Sequence, residues 1–149
     1  PDTFLKISKI ENLVGIKDSS ANWEQFQRIL FYLENTDIAV FNGAEELCAA
    51  AMVFGADGCV PGLANFFPKL FIGICEAAAV KDIERAYTLQ KQVWRIRQCL
   101  FVGKSWVSAM KYIGKKMGFG EGFVTSPIEP LTSEEKYKID KILEEYKEK

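Results

Sequence analysis

The stretch "LVGIKDSS", residues 13–20, is an apolar run that stops on a lysine and passes at once into small polar residues. A short continuous apolar run without polar alternation is the pattern of a strand buried on both faces, and it predicts a strand over 13–17. Working outward, the same pattern recurs twice. Asn22, or Ser20 before it, caps the next helix, and Gln25 falls where a capping box needs it. Trp23, Phe26, Ile29, Leu30 and Leu33 then repeat at three and four, giving one apolar helix face. Asn35-Thr36-Asp37 ends that helix, a second strand covers 38–41, and Asn42-Gly43 reads as a tight turn. A helix over 44–54 carries Glu45 and Glu46 in its first turn, where the helix dipole favours acids. The loop 55–58 leads to a third strand over 59–60, stopped by Pro61-Gly62. The order β-α-β-α-β, with short loops and continuous apolar strands, predicts an α/β fold with a parallel sheet and right-handed crossovers.

The rest of the chain reads as helices. Pro68 suits a helix start, Asp82 caps a long helix running to Leu100, and Ser105 opens another that ends at Gly118. The linker "FVTSPIEP", residues 123–130, precedes a last helix opened by the capping box Thr132-x-x-Glu135. Phe4, Leu5 and Ile7 look like the tail of an earlier helix, and the chain begins at Pro1 without an initiator methionine, so we expect a piece of a longer protein. No linker splits the chain in two. We assign 1–80 to the βα part and 81–149 to a helical extension of the same domain.

Composition narrows the function. The chain has 149 residues, 48% hydrophobic and 26% charged, which fits a globular domain with a sizeable core. A net charge of −1, with the basic residues scattered through helices, speaks against nucleic acid and anionic membranes as partners. No apolar run reaches the roughly eighteen residues of a membrane span. There is no histidine and no CxxC pair, so no metal site and no cofactor are expected. Cys48, Cys59, Cys75 and Cys99 read as small buried hydrophobes of a reducing compartment, which makes the expected location cytoplasmic.

In parallel α/β folds ligands bind beyond the carboxyl ends of the strands. Lys17, Ser19, Ser20, Asn42, Gly43, Glu45, Glu46, Gly62 and Asn65 all fall at that edge. Lys17 has two readings: a strand-end amine reaching to water, or an amine that loses its charge in an apolar site and condenses with a carbonyl. Gly43 is either a turn glycine or a place where a ligand meets backbone. Glu45 and Glu46 can hold hydroxyls, and are equally at home in a first helical turn. Gly55 to Gly58 precedes a strand instead of opening a helix, which disfavours a nucleotide-binding domain.

Taken together, "LVGIKDSS", "FNGAEE" and "GADGCVPGLAN" resemble the dihydrodipicolinate synthase / N-acetylneuraminate lyase family of Schiff-base aldolases, in order, spacing and strand context. The later "KSWVSAMKYIGKKMGF" and "SPIEPLT" resemble that family's C-terminal helical extension. The resemblance implies the C-terminal part of a (β/α)8 TIM barrel, strands six to eight. It also implies an imine between Lys17 and the keto group of pyruvate or another 2-keto acid. Gly43 and Val60 match backbone positions lining the substrate site, Ser19 a position that contacts substrate in the lyase branch, and Glu45 and Glu46 the acidic pair that holds sugar hydroxyls. Gly62 stands where that branch tends to carry serine, and Thr125 where many members carry arginine. The family's proton-relay tyrosine, carboxylate-binding loop and second-substrate arginine lie upstream of the matched region, and Tyr32 and Tyr87 sit on helices that cannot supply them. Two readings follow: an aldolase or synthase completed by a missing N-terminal half-barrel, or a catalytically inactive half-barrel that serves as a scaffold. Either way, three parallel strands cannot close a barrel, so we expect a homo-oligomer or pairing with the missing half.

Overall fold

A computed structural model describes residues 2–147. In chain order the elements are α1 (Asp2–Ile7), β1 (Gly15–Asp18), α2 (Trp23–Leu33), β2 (Ala39–Asn42), α3 (Cys48–Val53), β3 (Gly58–Cys59), α4 (Pro68–Ala79), α5 (Ile83–Arg97), α6 (Trp106–Lys116) and α7 (Ser133–Lys147). Short 3-10 turns at Glu45–Leu47, Gly62–Asn65 and Gln98–Phe101 join them. The three strands form one parallel sheet in the order β1-β2-β3. The first two strands lie one or two residues beyond their expected spans and the third begins one residue before its own; the ladder continues past β1 and β2 into the polar residues, where Gly43 N–H donates to Asp18 O (2.8 Å) and Val60 N–H to Asn42 O (2.7 Å). The expected tight turn at Asn42-Gly43 is therefore the extended end of β2.

The register sorts side chains into rows. Lys17 pairs with Phe41 and Phe41 with Gly58, making one row on the inner face; Asp18, Asn42 and Cys59 make the next row, on the outer face towards the helices. One step further, Ser19, Gly43 and Val60 return to the inner face. The Phe41 ring spreads over Gly58, where a Cβ would stand 3.0 Å from two of its carbons, so only glycine leaves the ring flat against β3.

Two apolar cores lie behind the sheet. The smaller packs Phe26, Ile29 and Leu33 of α2 on Val40, Ala51 and Ala56. The larger joins Cys48, Leu63, Leu70, Phe71 and Ile74 to Val93, Ile96, Cys99, Ala109, Ile113, Ile139 and Leu143. Enclosing each Ile or Leu of this kind stabilises the fold by roughly 1.5–3 kcal/mol relative to exposure. That core fastens the helical tail to α3 and α4. The inner face is different: Val60 is 49% exposed and Lys17 is exposed. The strand pattern predicts burial on both faces, which requires cover that these three strands do not supply.

The caps follow the sequence with one exception. Asp82 Oδ1 accepts from Arg85 N–H (3.0 Å) and Ser105 Oγ from Val107 N–H (3.3 Å). Thr132 and Glu135 exchange both bonds of their box. At α2 the box does not close as expected. Asn22 Oδ1 accepts from Gln25 N–H (3.0 Å), but Ser20 Oγ takes the Asn22 N–H (3.1 Å) and the Gln25 amide turns to Ser20 Oγ (3.2 Å). The helix expected over 44–54 also begins with a 3-10 turn, with Cys48 as the first α-helical residue.

Candidate functional site

Lys17, Ser19, Gly43 and Val60 lie on the same face, in adjacent rows at the carboxyl edge of the sheet. A Cβ on Gly43 would collide with Lys17 Cε and Ser19 Oγ, so the aliphatic stem of the lysine and the serine hydroxyl crowd over bare backbone. Glycine is the one residue that leaves room for them. Lys17 is exposed on this open face, and among the described residues no carboxylate forms an ion pair with its amine. The adjacent acid, Asp18, points to the other side of the sheet.

The outer row explains why the inner one holds its shape. Asp18 is 8% exposed, and its carboxylate accepts from Ser20 N–H (2.9 Å) and Ser20 Oγ (3.1 Å), with the Gln25 amide at 3.5 Å. These bonds turn the chain after Ser19 and fix where β1 ends. Asn42, 1% exposed, accepts from Ala44 N–H through Oδ1 (3.2 Å) and donates through Nδ2 to Ala44 O (2.8 Å) and Cys48 Sγ (3.5 Å). This side-chain-to-backbone clasp carries the chain out of β2 and presents Gly43. Sequence reading passed over Asp18. Its signal is an acid directly after the strand lysine, followed at i+2 by a serine whose N–H and hydroxyl donate to it.

Glu45 and Glu46 sit beyond these rows and are engaged elsewhere. Glu45 Oε1 accepts from Leu63 N–H (3.2 Å), which ties the β2 loop to the turn after β3, where Met110 of α6 lies against Gly62. Gln90 of α5 donates to Glu45 O (3.0 Å) and accepts from Ala49 N–H (2.8 Å). Glu46 pairs with Arg97 at 2.8 Å, and that guanidinium lies 5.1 Å from the Trp94 ring centre and 4.8 Å from that of Phe101. The two acids fasten the candidate site to the helical tail. The structure brings Lys17, Ser19, Gly43 and Val60 together, and holds Glu45 and Glu46 as bracing at their margin. Among the described residues no group of three or more acidic, cysteine or histidine side chains could hold a metal ion, and no helix is long and apolar enough to cross a membrane.

The sequence model of the dihydrodipicolinate synthetase family matches residues 1–146. The chain belongs to this family. A curated relative, 4-hydroxy-tetrahydrodipicolinate synthase of Legionella pneumophila, is 29% identical over 143 residues, covering 96% of this chain and 49% of the relative. Among solved structures, dihydrodipicolinate synthase of Bacteroides thetaiotaomicron superposes with a TM-score of 0.90 at 31% identity, over 97% of this chain and 50% of that one. The chloride-inhibited dihydrodipicolinate synthase of Acinetobacter baumannii, complexed with pyruvate, superposes with a TM-score of 0.86 at 27% identity, over 98% and 50%. The chain thus spans about half the length of the family members it matches, and its three parallel strands and surrounding helices are the corresponding portion of their barrel.

Proposed function

We propose that this chain is the C-terminal half of a Schiff-base-forming 2-keto-acid aldolase, synthase or lyase, with Lys17 as nucleophile and pyruvate or a related 2-keto acid as substrate. The supporting observation is the convergence of Lys17 Cε and Ser19 Oγ over the bare backbone of Gly43, on a face where Lys17 and Val60 are exposed. The unprotonated Lys17 amine attacks the keto carbon to give a carbinolamine, and loss of water leaves a protonated imine. That imine draws electrons from the neighbouring carbon. Loss of a proton there gives an enamine that adds to an aldehyde, and the reverse sequence cleaves the same carbon–carbon bond. In this reading Ser19 Oγ and the backbone of Gly43 and Val60 position the acid. Glu45 and Glu46 act through the loop they brace.

Proton transfer, the carboxylate clamp and the choice of aldehyde fall to the other half of the barrel. We therefore infer that the working protein is either this chain paired with an N-terminal half-barrel or a homo-oligomer that covers the inner face. Borohydride reduction in the presence of pyruvate, with that half supplied, should fix one pyruvate-derived adduct on Lys17 and none on the Lys17→Arg variant. An unlabelled Lys17 under conditions that label a complete family member would overturn the reading. The second reading, a scaffold without turnover, draws on the open inner face and the unpaired edges of β1 and β3. It would be favoured by a stable oligomer that takes up no keto acid.

A further inference from the structure

Helix α3 has no side-chain cap at its own start. Leu47, just ahead of it, offers no polar group, so the first amides of the helix need acceptors from elsewhere. One comes from α5, 41 residues further along the chain: Gln90 Oε1 accepts from Ala49 N–H (2.8 Å). The other end of the same amide, Nε2, donates to Glu45 O (3.0 Å), which also accepts from Cys48 N–H. Reversing the amide would set donor against donor and acceptor against acceptor, so its orientation is fixed. Gln90 is 9% exposed, and water cannot readily replace either bond. Glu45 passes this hold to a second loop. Its Oε1 accepts from Leu63 N–H (3.2 Å), and a Cβ on Gly62 would stand 3.3 Å from that oxygen and 3.1 Å from Met110 Cε. The loop just past Gly43 and the turn just past Val60 are therefore joined through one side chain, and Gln90 holds its backbone. Gly43 and Val60 share the inner face with Lys17.

We propose that Gln90 is a positioning residue for keto-acid capture: it fixes Glu45 and, through Glu45, the placement of Gly43 and Val60 beside Lys17. The proposal rests on the Schiff-base reading and adds that the helical tail sets how tightly that site takes its acid. Small displacements of the groups that receive a ligand weaken capture even where the nucleophile itself is untouched. Gln90→Met keeps the length of the side chain and loses both of its hydrogen bonds, which leaves Ala49 N–H unpaired and frees the backbone of Glu45. Glu45 is half-buried, so Glu45→Leu cuts the same link at Leu63 N–H without touching the core. Glu45→Gln retains an acceptor oxygen for that N–H.

The test uses the full chain with the N-terminal half-barrel supplied, and follows borohydride-trapped label on Lys17 against pyruvate concentration. Gln90→Met should raise the half-saturating pyruvate concentration about tenfold while the maximal label stays near that of the wild type. Glu45→Leu should do the same, Glu45→Gln should restore most of the wild-type value, and Gln90→Met/Glu45→Leu should be little worse than either single change. Ile139→Val, on α7 in the larger core, registers loss of stability alone and should leave half-saturation where it is. Unchanged half-saturation in Gln90→Met, an equal shift in Ile139→Val, or full additivity of Gln90→Met and Glu45→Leu overturns the proposal. A wild type that takes no label overturns the Schiff-base reading instead, and hydrogen exchange then decides the Gln90 link without pyruvate. In Gln90→Met the amides of Ala49 and Leu63 should exchange faster, with that of Ile139 unchanged; unaltered exchange at Leu63 overturns the link.

Discussion

Replacing Gly43 by alanine places a methyl group against Lys17 Cε and Ser19 Oγ. The lysine then leaves its preferred rotamer, a distortion of about 1–1.5 kcal/mol, or about tenfold in reactivity. Gly43→Ala should therefore lower borohydride-trapped label on Lys17 about tenfold with the fold intact, and adding Ser19→Gly should restore part of it; undiminished labelling would refute the crowding. Behind it, Asp18→Ala leaves the Ser20 N–H and hydroxyl without their acceptor, at a cost of about 1–3 kcal/mol, read as a lower denaturant midpoint. The two residues differed in how readable they were. Gly43 was legible as a candidate, but its own residues left it equally a turn glycine, and only the family resemblance singled it out. Asp18 looks like any solvated acid until the register turns it to the outer face, and a one-residue shift of strand register decides that.

At the scale of elements, the brace between the β2 loop and α5 is open to a double-mutant cycle. Glu46 and Arg97 are 20% and 17% exposed, so partial solvation tempers the loss, and Glu46→Gln should cost about 1–2 kcal/mol, with little further loss in Glu46→Gln/Arg97→Met. Full additivity of the two changes would show that the pair is not coupled. Ile74, 0% exposed on α4, is the sharper test of the core: Ile74→Ala should destabilise by about 2–5 kcal/mol. Tyr112 of α6 adds a pH signature. Burial, and then its hydrogen bond to Asp140, push its phenol up to about 12. Because the folded value lies above the ordinary one, this contribution is whole below about pH 10 and disappears as pH rises towards 12. Melting temperature should fall across that window in the wild type and fall less in Tyr112→Phe. The caps at Asp82, Ser105 and Thr132 were legible because each is a short-range rule. Gln25 was not: its amide had a choice between Asn22 and the Ser20–Asp18 turn, and the partners five and seven residues back won.

For the molecule as a whole, the parallel sheet and its helices were legible because three strands repeat one pattern of apolar run, polar stop and helix. What covers their inner face was not, because an apolar strand pattern records that a face needs cover and not what packs on it. With the edges of β1 and β3 unpaired, sedimentation at micromolar concentration should show self-association, or a one-to-one complex once an N-terminal half-barrel is supplied. A single monomeric boundary in both cases would mean that the edges need no partner. The cysteines show a further limit: sequence reads each as a separate buried hydrophobe, and only the packing of α3 on β3 brings the Cys59 thiol to the Cys48 carbonyl.

The larger core has a consequence in time as well as in space. No residue of β1 or β2 belongs to it, and it is built mainly from helices that are neighbours along the chain. Contacts of that kind close quickly and hold longest, whereas the strand bearing Lys17 has one open edge and one exposed face. In hydrogen exchange, the amides of Ile74, Val93, Ile113 and Ile139 should be the last to take up deuterium and those of Gly15 to Lys17 among the first. The half of the chain without the nucleophile would then act as the folding anchor, leaving the reactive strand to be set in place last.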